Sequence, residues 1–490
     1  MTASRDGGSP RNPTVAIVGA GLSGLCMAIK LKEAGVEDLT IYEKAADVGG
    51  TWRENTYPGL SCDIPSSYYS YSFEPNPDWT HLYAPGHEIQ DYLRRVAERY
   101  GLLRHIRFST EVERAGFHDG RWRVETSGGE TAETDFLIAA CGILHHPRYP
   151  DIPGIGSFAG ATFHSSRWDH DVALGGRRVG VIGTGSTGVQ LVAALPDVVG
   201  RLTHFQRTPQ WVFPMPNPRR RGVTRPIMRR FPGLSRLFYR LAQGWVEIGG
   251  RAMVEPGFQR WFMTTACRLH LRTVRDPELR RKLTPSYSPM CKRLVYSARF
   301  YQAVQRPNVE VVTEGIERIE PGGVLTRDGV LHELDVLVLA TGFDSHAYLR
   351  PIELTGPDGT TLEQAWSEGV KAYRTVALPG FPNFFMLMGP HSPIGNQSLI
   401  MIAENQADYI VSWIRMFADG RFRAATPTAE ATRRYNEQIR DAMPGTVWTT
   451  GCDSWYIGKD GVPELWPWRV ERHREMLREP APEEFELQAS

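Results

Sequence analysis

Cysteine is scarce in this chain. There are six in 490 residues, at Cys26, Cys62, Cys141, Cys267, Cys291 and Cys452, with no CxxC pair. That scatter argues against a disulfide framework or a zinc site and suits reduced thiols in a cytosol. No metal site is expected, and a cytoplasmic location is. Long apolar runs are missing as well, so no transmembrane segment is expected. The stretch Met1–Asn12 is polar and lacks the apolar h-region of a signal peptide, so it reads as a floppy tail. An excess of charge is also absent: 56 Lys and Arg against 55 Asp and Glu leave a formal +1. Nothing in that balance calls for a nucleic-acid partner. What remains is an ordinary globular composition, 41% hydrophobic and 23% charged, in a chain long enough for two or three domains.

The first clear element is the apolar run Thr14–Val18, leading into Gly19-Ala-Gly-Leu-Ser-Gly24. Leu25, Ile29 and Leu31 then follow at helical spacing up to Gly35. A second strand, Leu39–Tyr42, ends at Glu43, completing a βαβ unit. The pattern recurs at Arg178–Ile182, Gly183-Thr-Gly-Ser-Thr-Gly188, a helix through Val189 and Leu195, and Leu202–Phe205. A second repeat, D-x-L-x-x-A-x-G, occurs at Asp135–Gly142 and Asp335–Gly342, bracketing the second glycine motif. The simplest topology is an α/β fold of two Rossmann-like dinucleotide-binding domains, the second inserted in the first. The expected divisions are 13–145 and 334–490 for the first domain and 146–333 for the second. Within the second, 211–290 is expected to be a helical insertion rich in arginine and aromatics.

The glycine motifs work through backbone geometry. Gly19 permits a tight turn, Gly21 lets the chain approach a pyrophosphate, and Gly24 allows close helix–strand packing. Gly183, Gly185, Ser186, Thr187 and Gly188 repeat the arrangement. Glu43, about 20 residues beyond the first motif, suits a ribose 2′-hydroxyl. After the second unit stands Gln206-Arg207-Thr208, where an arginine fork suits a 2′-phosphate. The pair points to FAD at the first site and NADP(H) at the second, hence to hydride transfer onto a flavin. The missing CxxC argues against onward transfer to a disulfide.

The stretch from Phe158 through Gly160, His164 and Trp168 to Asp169 resembles the fingerprint FxGxxxHxxxW(P/D) of type I Baeyer–Villiger monooxygenases. Gly49 to Asp63, with Gly50, Thr51, Trp52 and Tyr57, looks like that family's second signature. Ala340-Thr341-Gly342-Phe343 also fits, so the resemblance covers nearly the whole chain. It implies an enzyme that uses NADPH and O₂ to form a flavin C4a-peroxide and inserts oxygen beside a ketone, giving an ester or lactone. By motif, Arg293 is then the arginine facing the flavin and Asp63 the carboxylate orienting it. Lys292 and Arg207, with Thr208 beside them, are the contacts to the NADP 2′-phosphate. His164 and Trp168 become residues of the domain junction. An always-charged guanidinium suits such chemistry because it stabilises an oxyanion without surrendering its proton. A nitrogen- or sulfur-oxygenating flavoenzyme and a non-oxygenating reductase are the rival readings.

Gly389-Pro390, Gly395-Asn-Gln397 and Ser398 are expected either to approach the flavin's pyrimidine edge or to form an ordinary loop. The Arg/aromatic insertion could shape a substrate entrance, lie on a membrane surface or face a partner, with a solvated helical cap preferred. The aromatic C-terminal stretches Cys452–Tyr456 and Trp466–Trp468 are expected to pack on the first domain or to line the pocket. Oligomeric state stays open.

Overall fold

The computed structural model describes residues 11–489. Most of the stretch read as a tail therefore lies outside the described residues. Arg11 is within them and is not free: its N–H donates to the Ala418 carbonyl at 3.1 Å, and its guanidinium lies over the Phe417 ring.

Two five-stranded sheets organise the molecule, and both are parallel throughout. The first runs Phe384–Met386, Phe136–Ala139, Val15–Val18, Leu39–Tyr42 and Ile106–Arg107. The second runs Val309–Val312, Arg201–Phe205, Arg178–Ile182, Val336–Leu339 and Ala161–His164. The strands Val15–Val18, Phe136–Ala139 and Val336–Leu339 are apolar along their whole length because both faces of such a sheet are covered. Phe384–Met386 brings the end of the chain back to the first sheet, so the second domain is inserted in the first.

The repeated D-x-L-x-x-A-x-G has one physical job in both sheets. The Asp135 carboxylate accepts from the Thr14 N–H (2.8 Å) and hydroxyl (2.9 Å), at the start of the neighbouring strand. The Asp335 carboxylate accepts from the Arg178 N–H at 2.8 Å in the same way. At the other end each glycine loop presses on the repeat's alanine. A Cβ on Gly19 (φ +105°) would lie 2.6 Å from the Ala140 carbonyl oxygen, and one on Gly183 (φ +125°) 2.1 Å from that of Ala340. Only glycine fits there.

That pairing corrects the expected division at 333/334. Val336–Leu339 belongs to the second sheet, between Arg178–Ile182 and Ala161–His164, so the chain leaves the second domain only after it. A second correction concerns the thiols. Cys291 and Cys452 form a disulfide, S–S 2.02 Å and Cα–Cα 6.1 Å, across a sequence separation of 161. The other four cysteines are free. Linear spacing carries no trace of this bond, because the C-terminal loop has to fold over the second domain before the sulfurs meet.

The insertion is helical as expected, with helices at Thr224–Arg230, Pro232–Val254, Phe258–Leu271 and Pro277–Lys282. Its two ends are joined by pairing of Val212–Phe213 with Val295–Tyr296. Among the described residues no helix is long and apolar enough to cross a membrane.

Candidate active site

Glu43 follows the strand Leu39–Tyr42 and is buried, which is tolerable because both its carboxylate oxygens accept hydrogen bonds. One oxygen accepts from the Ala20 N–H at 2.8 Å, and the other from Ala45 N–H at 3.0 Å and from the Arg53 guanidinium at 3.1 Å. Glu43 thereby fixes the turn between Gly19 and Gly24, and lone pairs remain for a sugar hydroxyl. Across a narrow gap stands Gly50, whose added Cβ would lie 3.2 Å from the Gly21 Cα. Thr51 and Trp52 follow on a short helical turn, with Thr51 exposed and the Trp52 indole N–H donating to the Tyr69 hydroxyl. At the far side, Asn396 Oδ1 and Ser398 Oγ are buried without a partner at the start of the helix Leu399–Ala418. Buried polar atoms normally have partners. A glycine cradle and orphaned buried polar atoms are what a dinucleotide with a pyrophosphate and a polar ring edge, such as FAD, would engage.

Residues 49–63 do more than line this groove. The Tyr57 hydroxyl donates to Gln190 Oε1 at 2.8 Å, and Gln190 Nε2 donates to the Ser61 carbonyl at 2.9 Å. Gln190 lies on the helix Ser186–Ala194 that follows the second glycine motif. Gly59 (φ +84°) packs so closely there that a Cβ would come within 2.9 Å of the Gln190 carbonyl oxygen. The stretch is a strap between the two domains, and Gln190 is a member of the site that motif reading missed.

The strap ends at Asp63, whose carboxylate meets the Arg293 guanidinium at 2.7 Å. Arg293 keeps a third of its side chain accessible, so the pair is half-buried and open on one side. The Asp63 charge, outweighing the cost of burial, raises the Arg293 pKa above its already high ordinary value. Tyr456 lies close enough to Arg293 to raise its pKa further. Tyr456 thus joins the site from the aromatic C-terminal stretch, where sequence showed only aromatics without periodicity.

Next to Arg293, Lys292 sits with its ammonium 5.0 Å from the Tyr287 ring centre. Burial lowers its pKa, Asp453 partly offsets this, and Arg207 lowers it further. Arg207 and Lys292 thus feel each other's charge in the fold, although 85 positions separate them in the sequence. Arg207 is exposed, Thr208 half-buried beside it, and Gly185 opens onto free space. Two cations without an ion-pair partner among the described residues, near a glycine loop, fit a dinucleotide with an extra phosphate. Gly183, Gly185, Ser186, Thr187 and Gly188 occupy the turn and first helical residues, as their motif implied.

His164 lies where the chain crosses between domains. Its Nδ1 accepts from the Ser166 N–H at 3.1 Å, so Nε2 carries the proton and donates to the Gly342 carbonyl at 3.1 Å. Its ring contacts Tyr149 and Phe343, one from each crossing segment. Thr341 adds a hydroxyl bond to the Arg148 carbonyl at 2.6 Å. Burial lowers the His164 pKa, which keeps it neutral. Trp168 packs edge-on against Phe163, and Gly160 leaves no room for a Cβ beside the Asp335 carbonyl. Phe158 packs against the outer face of the second sheet. Asp169 accepts from the Asp171 N–H at 2.9 Å, within its own turn. The fingerprint therefore clasps the crossing, while Arg293 and Asp63 stand elsewhere.

Two glycine-loop sheets, one ending in an acid and the other in an arginine, with an arginine–carboxylate pair between them, define a flavin- and nicotinamide-dependent oxidoreductase. The flavin-binding monooxygenase-like family matches residues 12–231. The chain is 57% identical to an uncharacterized monooxygenase of Mycobacterium tuberculosis (strain ATCC 25618 / H37Rv) over 97% of its length and 96% of the relative. It is 39% identical to a Baeyer–Villiger monooxygenase of Streptomyces coelicolor over 95% of the chain and 90% of the relative. A crystal structure of oxidized steroid monooxygenase bound to NADP superposes with a TM-score of 0.88 at 30% identity, covering 98% of this chain and all of that one. The chain belongs to the Baeyer–Villiger monooxygenase family.

Proposed function

We propose that this enzyme uses FAD, NADPH and O₂ to insert one oxygen atom beside the carbonyl of a small-molecule ketone, releasing an ester or lactone. The observation that carries this reading is the half-open Arg293–Asp63 pair, which joins the second domain to the strap that leaves the first. The bound flavin, once reduced by NADPH, supplies the activated oxygen.

The protein's own residues do the rest. Gly19, Gly21 and Gly24 let the backbone approach a pyrophosphate, and Glu43 takes the ribose. Gly50, Thr51 and Trp52 form the facing wall, and Asn396 and Ser398 meet the polar ring edge. Arg207 and Lys292 hold the 2′-phosphate. Arg293 points its free N–H groups at the place where the ketone oxygen gains charge, and it stays charged there at any working pH. Asp63 and Tyr456 fix the plane of its fork. Because Arg293 keeps its proton, the attacking oxygen remains a nucleophile, as a ketone requires and an amine or thioether does not. His164, Thr341 and Gly342 transmit the relative position of the two domains. We place this work in the cytoplasm, where NADPH is supplied.

The test is Arg293→Ala. Ester formation should fall by about 10²–10³-fold while flavin reduction by NADPH persists. Equal loss of both steps would remove Arg293 from oxygen insertion.

A further inference from the structure

The outer face of the helical insertion is apolar, aromatic and exposed, which the catalytic reading does not use. On the helix Pro232–Val254, Phe238, Leu241, Trp245 and Ile248 recur at intervals of three and four residues. That is one face of a helix. All four are exposed, Leu241 at 61%. On the adjoining helix Phe258–Leu271, Phe258 and Trp261 are 70% and 60% exposed and their rings touch. The opposite face is occupied: Tyr239 packs against Tyr68, and Gly250 lies so close to the Asn396 carbonyl that a Cβ would be 2.4 Å away. The exposed residues are therefore turned away from the enzyme's own core.

Charge says what meets this face. Residues 219–275 hold thirteen arginines and two acids, Glu247 and Glu255, in a chain whose net charge is +1. Arg225, Arg230, Arg236 and Arg240 have no carboxylate partner among the described residues. Arg225 and Arg230 line an open hollow of about 600 Å³, and Arg225 Nε is buried without a hydrogen-bond partner. A second copy of the chain would oppose this cluster to itself and be repelled. An anionic bilayer supplies the missing phosphates and an apolar layer, and tryptophans favour its interface.

We infer that residues 223–269 form a docking face for the surface of an anionic phospholipid bilayer, with the aromatic and aliphatic stripe entering the headgroup layer and the arginines holding lipid phosphates. The bilayer then lies about one helix diameter, ~10 Å, from the loop carrying Asn396 and Ser398. Apolar ketones dissolved in the membrane would have a short path to the candidate pocket. The inference concerns the surface alone and does not depend on the reaction.

Co-sedimentation of the FAD-loaded enzyme tests it, using vesicles of phosphatidylcholine alone and vesicles with about one-third phosphatidylglycerol. Binding to the anionic vesicles only, weakened by salt, is expected. The combined variant Leu241→Ser, Trp245→Ser, Trp261→Ser and the combined variant Arg225→Gln, Arg230→Gln, Arg236→Gln should each bind about tenfold or more weakly. Hydrogen exchange of the unaltered holoenzyme gives a second reading that needs no variant, and anionic vesicles should slow exchange over 231–262. Absence of binding, variants that bind as the parent does, unchanged exchange, or a solution dimer that the serine variant dissociates would each overturn the proposal.

Discussion

Arg293 and Asp63 are 230 residues apart in the chain and 2.7 Å apart in the fold. One comes from the end of the insertion in the second domain, the other from the strap that leaves the first. Their contact therefore depends on domain position as well as on local geometry. The Tyr57–Gln190 bond and the Cys291–Cys452 disulfide hold the same junction on either side. An arginine held this way has its charge, direction and distance settled before substrate arrives, which is what electrostatic stabilisation of a developing oxyanion needs.

Orientation should therefore matter as much as charge. Arg293→Lys keeps the positive charge but loses the planar fork, and ester output is expected to fall at least about tenfold. Asp63→Ala should lower the ratio of ester to hydrogen peroxide while NADPH oxidation continues. Measuring both products per NADPH consumed checks this; an unchanged ratio in Asp63→Ala would deny Asp63 its orienting role.

The nicotinamide cofactor's extra phosphate should be read by Arg207 and Lys292 together. Loss of either charged hydrogen bond is expected to raise the NADPH Michaelis constant by about tenfold to a hundredfold and to leave that for NADH nearly unchanged. Steady-state kinetics of Arg207→Ala and Lys292→Ala with both cofactors decide it.

Stability should fall on the acid side. Burial lowers the pKa of His145 and His204 to about 4 and that of His473 to about 3. The folded protein keeps all three neutral, whereas in the unfolded chain they take protons near pH ~6.5. Their contribution is whole above ~6.5 and is lost as pH drops from there toward 4 and 3. The urea midpoint should be level above about pH 7 and fall by about pH 5, less steeply in His473→Gln. A midpoint that does not change with pH would contradict these assignments.

The disulfide predicts a thiol count. Denatured without reductant, the protein should show four reactive thiols, those of Cys26, Cys62, Cys141 and Cys267, and six after reduction. Cys452→Ser should cost about 2–4 kcal/mol of stability, since it releases the loop bearing Asp453 and Tyr456 from the one bearing Lys292 and Arg293. Six thiols without reductant would remove the bond.

What sequence could show followed from how local each feature is. The glycine turns with Glu43 and Arg207 were legible because each is a short βαβ unit whose chemistry lies within about 30 residues. The Arg293–Asp63 contact was legible only through a family signature; no spacing argument joins residues in two domains. The D-x-L-x-x-A-x-G repeat is plain in the sequence, but the domain that its second copy joins is not. Asp335 clamps Arg178, which ties that strand to the sheet before it. Cys291–Cys452 and Gln190 are hidden, and Tyr456 is legible only as part of an aromatic stretch that could line the pocket, because each depends on a loop packing across a domain boundary. The helices of 211–290 are legible in sequence, but which of their aromatic side chains stay exposed is not.

Product analysis tests the central claim most directly. Purified yellow enzyme would be given NADPH, ¹⁸O₂, a panel of cyclic, linear and aryl ketones, and a thioether, and the products separated by gas chromatography with mass detection. An ester or lactone carrying a single ¹⁸O atom is the expected result. Sulfoxide alone, or hydrogen peroxide with every ketone untouched, would contradict the account.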